Sequence, residues 1–262
     1  MKRPTGSETA RSRTMVRGVP ILVFLALWEL AARFGPFSAT QLFPPFSAVL
    51  EELVRLYKTG VLSEHLVRTL GRVLIGLCLG TTLGVVTGTV MGWHKATDRS
   101  LSPIVSLLYP IPALGWLPLM MLWIGINEML PVAIITVGAF FPSCYNTAAG
   151  LRSVDGRLID AARILGASEW RILFEVALPC AATHLFAGLR LSSGMAWRTV
   201  LAAEMVAIPT GIGALIMKAE SLVRVESIMS CLLVLSVFCL VFEKFFDFLE
   251  KKWVGTWRER CA

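Results

Sequence analysis

The side chains of this chain that could carry out chemistry are few, and their spacing works against most reactions. Its three histidines, His65, His94 and His184, have no helical i, i+4 pairing, so the two-histidine face of a metal-dependent hydrolase is missing. The six cysteines (Cys78, Cys144, Cys180, Cys231, Cys239, Cys261) include no Cys-x-x-Cys pair. They read as small apolar residues, mostly within spans, and support neither a disulfide framework nor a metal site. No Gly-x-x-x-x-Gly-Lys-Ser/Thr loop occurs, and none of the seven lysines follows a glycine, so the backbone cradle for nucleotide phosphates is absent. What remains is a handful of ionisable residues in apolar surroundings: Glu29, Arg190, Arg198, Glu204 and Glu243. At membrane depth such groups couple ions, line a pathway or pair with another helix. Arg198 and Glu204 stand six residues apart, about 240° around a helix, so they do not pair within it. None of these constellations makes an enzyme.

The elements that position these residues are membrane helices. Of 262 residues, 55% are hydrophobic and 16% charged, with a mean hydropathy of +0.68; so few charges could not cover a soluble core. Uncharged runs over residues 73–93, 101–127 and 129–151 each suffice for the roughly 20 helical residues that cross a hydrocarbon core. Weaker candidates are residues 19–32, which carry Glu29; 180–217, which carry Arg190, Arg198 and Glu204; and 227–242, which continue to 248. The expectation is an all-α membrane protein of about six transmembrane helices. The run at 180–217 is too long for one helix and must include a bend or re-entrant piece. A signal peptide is the rival reading of 19–32, but no small-residue cleavage site follows it. With a cytoplasmic N-terminus, sixteen of the 25 Lys and Arg residues fall on the inner side, which places both termini in the cytoplasm. The net charge of +7 is therefore a topology signal. It points to neither a nucleic acid nor the charge of a substrate.

Three stretches carry detail. Gly76, Gly80, Gly84, Gly88 and Gly92 recur every four residues and form one stripe where another helix can approach closely, for packing or for sliding. Pro103, Pro110, Pro112 and Pro118 crowd sixteen residues, so no straight helix passes Pro110 and Pro112. Irregular backbone at that depth belongs to a kinked packing helix or to a pathway lining. Between residues 152 and 179, Asp155 can cap a first helix and Gly166 can end it in the left-handed conformation. Ser168 can then cap a second helix, with Glu169 in its first turn and Pro179 closing it. A cytoplasmic helix, glycine turn and helix result, and the interspersed acids argue against a simple lipid-binding helix.

That loop resembles the EAA loop of ABC importer permeases. The match runs Asp160, Ala161, Ala162, three residues, Gly166, nine residues, Val176, one residue, Leu178 and Pro179; the family pattern has Glu at the position of Asp160 and Ile at that of Val176. Further stretches resemble the nitrate/sulfonate/taurine branch of that family: residues 110–118, Leu122 to Gly125, Phe140 to Pro142 with Asn146 and Thr147, and Ala196-Trp197 with Ala202 to Met205. The resemblance covers roughly residues 64 to 248. It implies a type I (MetI-like) importer permease in the bacterial inner membrane, multi-pass, with a domain plan of four parts. These are a cytoplasmic tail (1–17), a first transmembrane helix with its outer loop (18–62), the permease domain (63–250, coupling loop 152–179) and a cytoplasmic tail (251–262). It also implies two copies around a central pathway, an ATPase subunit under each that binds the ATP and Mg, and a separate extracytoplasmic binding protein. The chain itself would bind no cofactor. Closure of the ATPases would draw the loops together and switch the pathway between inward- and outward-facing states.

On this reading the cargo is a small solute, an anion such as a sulfonate, taurine, nitrate or bicarbonate. The coupling residues are Asp160, Ala161, Ala162, Gly166, Val176, Leu178 and Pro179. Pro110, Pro112, Trp116, Trp197, Arg198 and Glu204 are candidates for the pathway. The alternative function is an ATP-independent secondary transporter or channel.

Overall fold

The computed structural model describes residues 6–35 and 42–254; the outermost parts of both expected tails, 1–5 and 255–262, lie outside them. Every regular element among the described residues is a helix. In chain order these are α1 (Gly6–Phe34), α2 (Phe46–Lys58), α3 (Val61–Trp93), α4 (Lys95–Leu108), α5 (Leu117–Ile124) and α6 (Met129–Arg152). There follow α7 (Gly156–Ile164), α8 (Glu169–Ile172), α9 (Leu178–Cys180), α10 (Ala182–Ala207), α11 (Ile212–Ser221) and α12 (Val225–Val254). A 3-10 turn, Ala113–Trp116, leads into α5, and a π turn, Leu173–Ala177, joins α8 to α9.

Six spans were expected. Among the described residues three helices are long and apolar enough to cross a membrane, Val61–Trp93, Met129–Arg152 and Val225–Lys252. Two bent pairs raise the number to five: Lys95–Leu108 with Ala113–Ile124, turned by 89°, and Glu169–Cys180 with Ala182–Ala207, turned by 65°. The remaining expected span, 19–32, falls within α1, whose side chains are described from Val19 onward, so the count of six is not confirmed.

The prolines act where the sequence led one to expect, with two refinements. The chain breaks between Leu108 and Ala113, around Pro110 and Pro112. Pro118, however, lies in the first turn of α5, where its missing N–H removes no helical bond. Pro179 does not close the second loop helix. It lies in the first turn of α9 for the same reason, helical backbone continues to Cys180, and the bend comes at Ala181. The surplus length of the 180–217 run becomes a separate helix, α11, after α10 ends at Ala207.

The chain forms two compact units. In the unit made of residues 1–62 and 216–233, Trp28 packs on Phe24, Phe43 and Phe46 and donates from Nε1 to the Pro44 carbonyl at 3.1 Å. Glu29 accepts from the Ser47 backbone N–H at 3.1 Å and pairs with Arg33 at 2.7 Å. A carboxylate at the start of α2 is favourably placed there, so this acid of α1 already has a structural partner.

The second unit, residues 63–215 and 234–262, holds the main core. The glycine stripe of α3 lies against α6: a Cβ at Gly76, Gly80, Gly84, Gly88 or Gly92 would meet α6 atoms within 3 Å. Close packing is therefore what the stripe does. α6 also packs along α10, where the Ser143 and Ser192 hydroxyls bond at 2.8 Å and Ser192 donates to the Ala139 carbonyl at 2.8 Å. Val73, Leu77, Ile135, Ala139, Ala196, Trp197 and Val200 close the core between the three helices. Four cysteines, Cys78, Cys144, Cys231 and Cys239, are free thiols; Cys180, disulfide-bonded, departs from the apolar reading.

Candidate functional site

The loop between α6 and α10 is built from local capping chemistry. Asp155 caps α7, accepting from the Arg157 N–H at 2.9 Å. Gly166 takes a φ of +83°, and its N–H and that of Ala167 return to the carbonyls of Arg163 and Ala162 at 2.9 and 3.1 Å, satisfying the end of the helix. Ser168 caps α8. Arg163 then staples the turn: its guanidinium grips both oxygens of Glu169 at 2.8 and 3.1 Å and reaches Asp160 at 3.4 Å. The bonds from Arg163 hold the Glu169 carboxyl below the usual carboxylate range. All three side chains are exposed, so the staple sets geometry more than stability.

The staple presents an apolar tip. Ile164 is 86% exposed, Leu165 87% and Trp170 72%, far more apolar surface than a solvated turn needs. Ala161 is exposed, while Ala162, Gly166 and Val176 edge a shallow groove of about 230 Å³. The other face of the segment is rooted: Leu173 and Ala177 pack with Leu151 and Ala181, with Trp93, Val154, Leu178 and Leu185 around them. Asp160 and the two alanines are thus on the free surface, and Leu178 and Pro179 are at the root.

The in-span charges are arranged differently from one another. Glu204 is 1% exposed and faces Arg72 of α3, which donates to it at 2.6 Å. Thr69 donates to both of its oxygens at 2.9 Å and the Gly213 N–H to one at 3.0 Å. Arg72 is saturated further by Glu128 at 2.5 and 2.8 Å and by the carbonyl and hydroxyl of Thr210 at 2.8 and 2.6 Å. Nearby, His65 Nδ1 accepts from the Gly211 N–H at 3.0 Å. A Cβ at Gly211 or Gly213 would run into Glu204, which accounts for the two glycines beside it.

This clamp joins the first part of α3, the turn before α6 and the segment after α10. Arg72 was not among the candidates read from the sequence. The available signal was that a buried Glu204 needs a counter-ion, and Arg72 stands immediately before the uncharged run 73–93.

Arg190 of α10 is likewise neutralised, by Glu250 and Asp247 of α12. Arg198 is exposed, and among the described residues it makes no hydrogen bond or ion pair. The other pathway candidates divide. Trp197 is core, edge-on to Phe242 at 5.2 Å; Pro110 and Pro112 are exposed and Trp116 is half-buried, its indole N–H unpartnered among the described residues. The structure does not gather the six candidates into one place within a single chain.

Residues 80–255 match the family model described as binding-protein-dependent transport system inner membrane component. A putative ABC transporter permease protein of Methanocaldococcus jannaschii is 33% identical over 90% of this chain and 89% of its own length. A putative aliphatic sulfonates transport permease protein of Bacillus subtilis is 33% identical over 88% of this chain and 83% of its own. The taurine transport system permease protein of Escherichia coli is 31% identical over 85% and 82%. In fold, the chain is similar to a chain of the MetNI methionine ABC transporter in an inward-facing conformation, with a TM-score of 0.62, 18% identity and coverage of 71% of this chain and 92% of that one.

Proposed function

The chain belongs to the family of binding-protein-dependent transport system inner membrane components, and we propose that two copies of it enclose the route of a small anion across the membrane. It is a multi-pass inner-membrane permease subunit of an ABC importer and not an enzyme; ATP hydrolysis belongs to a separate subunit. The working assembly proposed is two copies of this chain, two ATPase subunits that bind ATP and Mg, and an extracytoplasmic binding protein, with both termini of this chain in the cytoplasm. The cargo proposed is a sulfonate, taurine, nitrate or bicarbonate, in keeping with the relatives named for sulfonates and taurine.

The observation that carries this reading is the loop. Its apolar tip at Ile164, Leu165 and Trp170 is held stiff by the Arg163 staple and rooted on the ends of α3, α6 and α10. Such a surface is complementary to a groove on a partner, and its root carries a push into the membrane helices. Asp160, Ala161, Ala162 and Gly166 would meet the ATPase, while Val176, Leu178 and Pro179 would pass the motion on. The break at Pro110 and Pro112, with Trp116, would line the route together with Arg198.

A secondary transporter or channel is not favoured. Glu204, the acid such a mechanism would titrate, is tied to Arg72, Thr69 and the Gly213 N–H. The test is reconstitution with the cognate ATPase and binding protein in vesicles. Taurine, an alkanesulfonate, nitrate or bicarbonate should stimulate ATP hydrolysis and enter in the same preparation. Solute flux through the lone chain without ATP would refute the proposal.

A further inference from the structure

Resting on the pathway reading above, we propose that Arg198 is the residue that selects for a negatively charged solute. Three observations lead there. The first is depth. Arg198 lies nine residues before the end of α10 and sixteen after its start, about 14 Å and 24 Å along the axis, beyond the reach of a snorkelling side chain at either end.

The second is charge compensation. Arg72 is matched by Glu128 and Glu204, and Arg190 by Asp247 and Glu250. Arg198 has no such match among the described residues; the Cys239 thiol of α12 lies within its field. Glu243 stands one turn beyond Cys239, yet no ion pair joins it to Arg198 among the described residues. Third, Leu191, Met195 and Arg198 recur at i, i+4 and i+7 and are all exposed, so the guanidinium stands on an open apolar stripe.

A lone cation on such a stripe cannot face hydrocarbon without a large penalty. Water and a passing anion satisfy it. The guanidinium fork offers paired N–H donors to the oxygens of a sulfonate, nitrate or carbonate group. Glu204 does not oppose this, since its charge is cancelled and enclosed by Arg72. The open face of α10 is therefore positive at mid-span.

The test uses the full transporter in vesicles, with Met195→Cys as the reporter one turn from Arg198. Two membrane-impermeant methanethiosulfonates are compared, one bearing a sulfonate and one a trimethylammonium group. Modification of position 195 is followed by peptide mass spectrometry without ATP and with ATP and vanadate. Intrinsic reactivities cancel when the anion-to-cation rate ratio is compared between variants. Replacing Arg198 by Gln should lower that ratio about tenfold, as expected for losing one charge at this distance in a partly aqueous site; Arg198→Lys should keep most of it.

An unchanged ratio at a reactive reporter thiol would overturn the selectivity role and leave the pathway reading standing. A reporter thiol inert to both reagents in both states would instead overturn the pathway reading itself. If Arg198→Gln and Glu243→Gln each blocked assembly and the double variant restored it, Arg198 would be an ion pair between copies, and the proposal would be wrong.

Discussion

Replacing Arg72 by Met removes the centre of the clamp and leaves Glu204 enclosed with only Thr69 and the Gly213 N–H as donors. Loss of one partner from a buried ion pair costs about 3–5 kcal/mol, because the remaining charge is uncompensated. Glu204→Gln is milder. Arg72 keeps Glu128 and Thr210, and the lost charge-assisted bond is worth about 1–3 kcal/mol. Independent effects would sum to roughly 4–8 kcal/mol. Because both substitutions act on one pair, the double variant should cost no more than Arg72→Met alone, a coupling of at least about 1 kcal/mol. Reversible unfolding in mixed detergent micelles measures all four corners of this cycle. Additivity to within about 0.5 kcal/mol would refute the clamp. Transport supplies a second check: per folded complex, Glu204→Gln should stay within a few-fold of the parent. A loss of transport without loss of stability would put Glu204 back among the groups that meet the solute.

Gly166→Val forces a φ of +83° on a branched side chain although nothing lies within 4 Å of the new Cβ; it should cost about 1–2 kcal/mol locally, leave membrane insertion intact and uncouple ATP hydrolysis from transport in vesicles, and normal coupling would count against the loop. Gly84→Val, whose Cβ would meet the Phe140 carbonyl at 2.5 Å, should abolish folded protein on size-exclusion chromatography, whereas Gly71→Ala, with open space around it, should be neutral; equal behaviour of the two would contradict the α3–α6 contact. Because Arg163 lowers the pKa of Glu169 below its ordinary 4.5, the staple is complete at neutral pH, and its contribution is lost only as pH falls through that lowered value. A carbon-13 titration of Glu169 should rise toward 4.5 in Arg163→Gln, and an unchanged titration would show that the staple does not form.

What could be read from the sequence was local chemistry. Asp155, Gly166 and Ser168 act within two or three residues of themselves, so their caps were legible; no straight helix passes both Pro110 and Pro112, so that break was too. A bend in the 180–217 run was expected from its length, but its position at Ala181 was hidden because alanine carries no turn signal and Pro179 is tolerated in a first helical turn. The glycine stripe announced a close contact, but its partner α6 is separated from it by the whole of α4 and α5. The same distance concealed Arg72. It lies 132 residues from Glu204 and just outside the uncharged run that drew attention to the helix, where a basic residue reads as a topology marker.

These contacts together decide how a push on the loop must travel. Along its length α6 meets α3 through glycines and α10 through Ser192, and cores packed at this density resist deformation. The clamp ties the segment after α10 to α3 and the turn before α6, and the cluster around Leu173 and Ala177 ties the loop to the other ends. Force on Ile164 and Leu165 therefore cannot be absorbed by bending one helix, and in the proposed two-copy assembly the unit would move as a body against the other copy. Spin labels at Thr82 of α3 and Tyr145 of α6, both exposed, should keep their separation within about 2 Å when ATP binds, the scale of small shifts in packed helices. Labels at Leu191 on two copies should change theirs by more. If the pair within one copy shifted as much as the pair between copies, α3 and α6 would slide past each other, and the glycine stripe would be a moving surface rather than a weld.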